Sequence, residues 1–90
     1  MKRLANTSLE HFTSQLAART PVPGGGCASA LTAAAGVSLA NMVIAYTLGK
    51  PAYKRFQRQL TSAAAANERL RRRFIALVDA DAAAFASGDI

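Results

Sequence analysis

The chain has 90 residues, 51% of them apolar but many of those alanine, with four phenylalanines, two tyrosines, no tryptophan and a formal charge of +6. That composition describes one small domain or part of one, with a core thin enough to need oligomerisation or further sequence to complete it. One cysteine, Cys27, and one histidine, His11, exclude an internal disulfide and a cysteine- or histidine-rich metal centre.

Lys2-Arg3 is followed by a polar stretch, Asn6 to His11, and not by the apolar core of a secretory leader, so a reducing, cytoplasmic setting is expected. Ser8 or Thr7 can cap a first helix over about 8–19, with Leu9, Phe12 and Leu16 forming one apolar stripe and His11 lying off it. Pro21 closes that helix. Pro21-Val-Pro-Gly-Gly-Gly26 is then a stiff turn ending in three glycines, a backbone held against either a ligand or another helix.

A second helix is predicted over about 26–48. No charge appears from Cys27 to Leu48, a run of membrane-spanning length. Ser29, Thr32, Ser38, Asn41 and Thr47, with many alanines, argue instead for the central helix of a bundle and against a membrane partner. Ala28, Thr32, Gly36 and Ala40 make a ridge of small residues against which a neighbouring helix can pack closely. Gly49-Lys50-Pro51 ends the helix: glycine suits the position after the cap, and proline cannot continue the ladder. The same tripeptide lacks the Ser or Thr of a phosphate-binding loop.

A third helix is predicted over about 52–86, with a seam at Tyr53, Phe56, Leu60, Ala63, Asn67, Leu70, Phe74, Leu77, Asp81 and Ala84. No strand pattern occurs. The expected fold is therefore all-α, an antiparallel bundle of long helices, completed by dimerisation or by helices beyond Ile90. The apolar run at Leu77–Ala86 ends abruptly at Ser87-Gly-Asp-Ile90, as a fragment would.

Eight of the eleven basic residues fall in residues 50–73 against one acid, Glu68. They make either a solvated helix face or a surface for anions, nucleic acid or a polycarboxylate. After Arg73 the helix turns apolar on all sides, interrupted by Asp79 and Asp81. At ~100° per residue these carboxylates point about 200° apart, so one site cannot easily use both. A carboxylate among apolar neighbours holds its proton more readily and suits general acid–base work; alternatively it pairs with an arginine or caps a neighbouring helix.

Taken together, Ser8-Leu9, Phe12, Leu16-Ala17, Pro21-Val-Pro-Gly-Gly-Gly26, Met42-Val43, Thr47-x-Gly49-Lys50, Tyr53, Val78-Asp-Ala-Asp-Ala82 and Ala84-Phe85 resemble, in order and spacing, the cyclodeaminase/cyclohydrolase family. That family comprises the C-terminal domain of formiminotransferase-cyclodeaminase and stand-alone bacterial methenyltetrahydrofolate cyclohydrolases. The resemblance implies an all-helical, cofactor-free, metal-free homodimer acting on a tetrahydrofolate derivative. Members either cyclise 5-formiminotetrahydrofolate with loss of ammonia or hydrolyse 5,10-methenyltetrahydrofolate to 10-formyltetrahydrofolate. It also implies Asp79 as the proton-transfer residue and Pro23, Gly24, Gly25 and Gly26 as a wall of the folate pocket. Lys50 and the basic run are candidates for a polyglutamate tail. Cys27 stands where the family commonly has serine, and family domains are longer than this chain. The rival reading is a non-catalytic basic helical module that binds nucleic acid or a partner helix.

Overall fold

The computed structural model describes residues 3–86; all of its regular elements are helical, with no strand among those residues. Lys2, and the stop expected at Ser87-Gly-Asp-Ile90, lie outside the described residues. A 3-10 turn, Leu4–Asn6, leads into α1, Leu9–Ala17; α2, Gly25–Thr47, and α3, Gln57–Ala86, form a long antiparallel hairpin.

Local chemistry sets these boundaries. Ser8 is extended and its Oγ accepts from the His11 N–H at 3.0 Å, capping α1. The helix ends at Ala17, short of the expected residue 19. Ala18 is already extended, and the Thr20 hydroxyl donates to the Gln15 and Val22 carbonyls at 3.1 and 3.3 Å. The α2 helix begins at Gly25 after an extended Gly24 and ends at Thr47; after the Leu48 cap the chain turns at Gly49, whose φ of 83° is the left-handed conformation that glycine alone adopts readily.

The predicted helix over 52–86 is two elements. Pro51 opens a 3-10 turn, Pro51–Phe56, in which Tyr53 leaves helical geometry (φ −114°, ψ 17°), and α3 follows. Proline suits the first position of such a turn, where no backbone N–H is needed; the departure from helix lies at Tyr53.

Packing corrects three expectations of face. On α2 the inward positions are Cys27, Ala30, Ala34, Val37, Asn41, Ile44 and Leu48, an alternating 3-4 spacing, while Thr32, Gly36 and Ala40 of the small-residue ridge face outward. A Cβ added at Gly36 would meet nothing within 4 Å. The helix is covered on one face rather than surrounded: Leu39, Met42, Val43 and Tyr46 are exposed. By length and composition α2 is apolar enough to cross a membrane, with a mean hydropathy of 1.6 and 17% of that window buried.

On α3 the inward residues are Gln57, Leu60, Ala64, Asn67, Arg71, Phe74, Val78 and Asp81. Leu60, Asn67, Phe74 and Asp81 keep their expected places. The other half of the seam lies one residue later than expected, because Leu70 and Leu77 are exposed while Arg71, ion-paired to Glu68, is half-buried. On α1, Phe12 is buried but Leu9 is 74% exposed, so the predicted stripe contributes one side chain.

The core is small: Phe12, Cys27, Ala30 and Val78 cluster where the start of α2 meets the end of α3, and Leu4, Leu31 and Ala82 pack against them. Farther along the hairpin a polar link replaces apolar packing. Asn67 Nδ2 donates to Asn41 Oδ1 at 3.0 Å, and Asn41 Nδ2 donates to the Ala64 carbonyl at 3.1 Å.

Candidate functional site

The antiparallel hairpin brings the glycine turn beside the last turns of α3, so residues more than 50 positions apart in sequence meet at one end of the molecule. Pro23 is buried there, after a cis Val22–Pro23 bond. Gly24 caps α2, Gly25 faces open space, and Gly26 lies against the carboxylate of Asp81, with which a Cβ at position 26 would collide. The choice between ligand and helix left open by the sequence is resolved in part: the turn is held against α3.

Cys27 is fully buried directly behind this contact. Its thiol lies 3.2 Å from the Val78 carbonyl and 3.6 Å from Asp81 Oδ2, both acceptors, so the sulfur hydrogen has two places to go. Burial pushes the thiol pKa above its ordinary value, the backbone at Gly24 acts against this, and the Asp81 carboxylate adds to the rise. The thiol therefore stays protonated at neutral pH and acts as a donor.

A cleft of about 460 Å³ opens at the same place, lined by Gly26, Ser29, Ala33, Phe74, Leu77 and Asp81 among others. Its size falls in the roughly 300–1,000 Å³ range of small-molecule sites. It is mainly apolar, with one carboxylate and one hydroxyl, next to the positive end of the α2 dipole. Such an arrangement suits a flat, largely apolar ligand and a proton exchanged with a single acid.

Asp79 is placed elsewhere. Its carboxylate turns toward the N-terminal 3-10 turn, where it accepts from the Leu4 N–H at 2.6 Å and the Ala5 N–H at 3.2 Å, with Arg3 Nε at 3.9 Å. This is the capping alternative. The structure brings Asp81, not Asp79, to the glycine turn. The signal was present in the sequence: Asp81 continues the Leu60-Asn67-Phe74 series that faces α2.

Lys50 is separated from the other candidates as well. It sits at the hairpin tip, lining a second hollow of about 390 Å³ with Gly49, Pro51, Lys54 and Gln57. The full length of α2, 23 residues, separates it from the glycine turn, which at ~1.5 Å per residue is about 33 Å. Among the described residues no group of three or more His, Cys, Asp or Glu is placed to hold a metal ion.

Comparison with known proteins gives one consistent result. The formiminotransferase-cyclodeaminase family profile matches residues 8–87. The chain is 36% identical over 80 residues to a methenyltetrahydrofolate cyclohydrolase of Methylorubrum extorquens, covering 89% of this chain and 38% of that protein. It is 36% identical over 84 residues to formimidoyltransferase-cyclodeaminase of Mus musculus, covering 93% of this chain and 16% of that protein. A Dictyostelium discoideum protein of the same name is 47% identical over 51 residues, 57% of this chain and 10% of that protein. The chain thus spans well under half the length of each. No solved structure gives a significant match.

Proposed function

The chain belongs to the formiminotransferase-cyclodeaminase family, and from that premise we propose that it takes part in tetrahydrofolate one-carbon chemistry, with Asp81 as the proton-transfer group. The relatives' names carry the substrate class, and the observation that carries the site is the Asp81 carboxylate lying against Gly26 at the mouth of the cleft. Both family reactions turn on the same event, addition to a one-carbon unit followed by cleavage of one of its carbon–nitrogen bonds. In cyclohydrolysis, water adds to the methenyl carbon and gives one proton to the carboxylate, N5 takes that proton as its bond to the carbon breaks, and the remaining hydroxyl proton passes to solvent as 10-formyltetrahydrofolate forms. In cyclodeamination, N10 adds to the formimino carbon and ammonia leaves with the proton it gains. One carboxylate that takes a proton and returns it serves either sequence, and no second acid is required.

The pterin would lie along Ala33, Phe74 and Leu77, with Ser29 as a polar contact. Lys50, at the opposite end of α2, would meet the same ligand only through an extended glutamate tail or from a second copy of the chain.

The test is loss of 5,10-methenyltetrahydrofolate absorbance, and its formation from the 5-formimino substrate, with the wild-type chain, Asp81→Asn and Asp79→Asn. Removal of the proton-transfer group is expected to cost at least about 100-fold in rate at Asp81, while Asp79→Asn keeps turnover and loses thermal stability. Equal rates for wild type and Asp81→Asn would refute the assignment. Steeply salt-dependent binding of unrelated DNA with no folate turnover would refute the function and favour the basic-module reading.

A further inference from the structure

Resting on that reading, we propose that Gly26 is a positioning residue for Asp81: its missing side chain leaves the space in which the carboxylate is held against the first turn of α2. The three glycines of the turn are not equivalent. A Cβ at Gly24 would come to 3.4 Å of the Pro21 carbonyl, ordinary contact, and one at Gly25 would meet nothing within 4 Å. At Gly26 the three nearest atoms all belong to the Asp81 carboxyl group, and all are closer than a real Cβ can approach.

Gly26 has no backbone reason to be glycine. It lies inside α2, and among the glycines of the described residues only Gly49 has a left-handed φ. A helix there would be better served by alanine. What glycine provides at this position is room, and Asp81 fills it. The other side of the carboxylate meets the fully buried Cys27 thiol, itself anchored on the Val78 carbonyl one helical turn back. The acid is thus set between a bare stretch of helix and a buried weak donor, with the cleft before it.

An alanine methyl at position 26 acts on a particular target. The obstructing atoms are the end of a short side chain and not backbone, so Asp81 turns about its own torsions while α2 and α3 stay in register. Because misplacing a reacting group by ~1 Å costs about 100-fold in rate, Gly26→Ala is expected to lower kcat about that much while KM and helical content stay near wild type.

The experiment combines kinetics with a stability cycle on Gly26→Ala, Asp81→Ala and the double variant, with Gly36→Ala as the control for helix propensity at an open site. Gly26→Ala is expected to raise the melting temperature in the Asp81→Ala background, where the space is empty, and not in wild type. Gly36→Ala is expected to raise it equally in both backgrounds and to leave turnover unchanged. A Gly26→Ala protein that unfolds in the wild-type background but folds in the Asp81→Ala background also supports the contact. The same melting-temperature change in both backgrounds, unfolding in both, or a raised KM with kcat preserved would overturn the proposal; the last result would make Gly26 a pocket wall instead. A coupled stability cycle in a wild-type chain without folate turnover would retain the positioning role and reject the folate reading.

Discussion

Asp79 and Asp81 show how much a shift of two residues along a helix changes a carboxylate's work. Asp79 satisfies two backbone N–H groups of the N-terminal turn, and removing such an acceptor costs about 1–2 kcal/mol. Asp79→Ala is therefore expected to lower the melting temperature by several degrees and to free Leu4 and Ala5 to exchange their amide hydrogens, which hydrogen exchange would detect. Protection unchanged at those two amides would contradict the capping role. Cys27 gives a prediction in pH. Its native pKa is raised by burial, so its contribution to stability is complete below the thiol's unfolded pKa and is lost as pH rises through the native one. Melting temperature should fall more steeply on the alkaline side for wild type than for Cys27→Ala, and a thiol reagent should label Cys27 only as fast as the protein opens. Both carboxylates stood out in the sequence as interruptions of an apolar run. Asp81 lies on the seam expected to face α2, so its direction is legible in the sequence; it is the family resemblance, not the helix phase, that points to Asp79.

At the level of elements, the helices and their order were legible because capping, glycine and proline signals are local. Ser8, Gly49 and Pro51 act within a few residues of themselves. Which face is buried is not local. An alanine-rich helix has weak amphipathicity, and on α3 the 3-4 spacing selects Leu70 and Leu77, although Arg71 and Val78 face inward. Arg71 tolerates that place because Glu68 meets it at 2.6 Å and also meets Arg72 at 3.1 Å. The two arginines hold the Glu68 carboxyl down to about 2. Its stabilisation is present above the ordinary carboxylate range and is lost as pH falls from there toward 2. The group is on the surface, so the acid-side loss of helicity should be small in wild type, weaker in high salt, and absent in Glu68→Gln. The Asn41–Asn67 link is the polar element of the hairpin. Replacing both residues by leucine is expected to raise the melting temperature while broadening the amide NMR spectrum, because a half-buried amide pair between facing helices sets register at a cost in stability. A sharp spectrum would show that register is held elsewhere.

For the whole molecule, the radius of gyration of 16.6 Å and extents of 51 × 25 × 19 Å describe an elongated hairpin. A compact chain of this length would have a radius near ~12 Å. The small core at one end, with Leu39, Met42, Val43 and Tyr46 exposed toward the other, makes self-association the expected state in solution. Light scattering after gel filtration should give twice the chain mass, and Val43→Lys should reduce that mass and lower the melting temperature together. A wild-type monomer with a sharp melting transition would contradict this. The thinness of the core was evident from composition. Its location was not, because Phe12, Cys27 and Val78 are scattered through the sequence and meet only when the hairpin closes.

The tip of that hairpin has a practical use. Gly49, Lys50 and Pro51 turn the chain far from the glycine turn, and their contacts run to near neighbours such as Thr47, Tyr53 and Gln57. A short epitope or a fluorophore spliced in after Lys50 would project from the blunt end, leaving the acid and its cleft undisturbed, and would turn the protein into a ruler for whatever docks along its shaft.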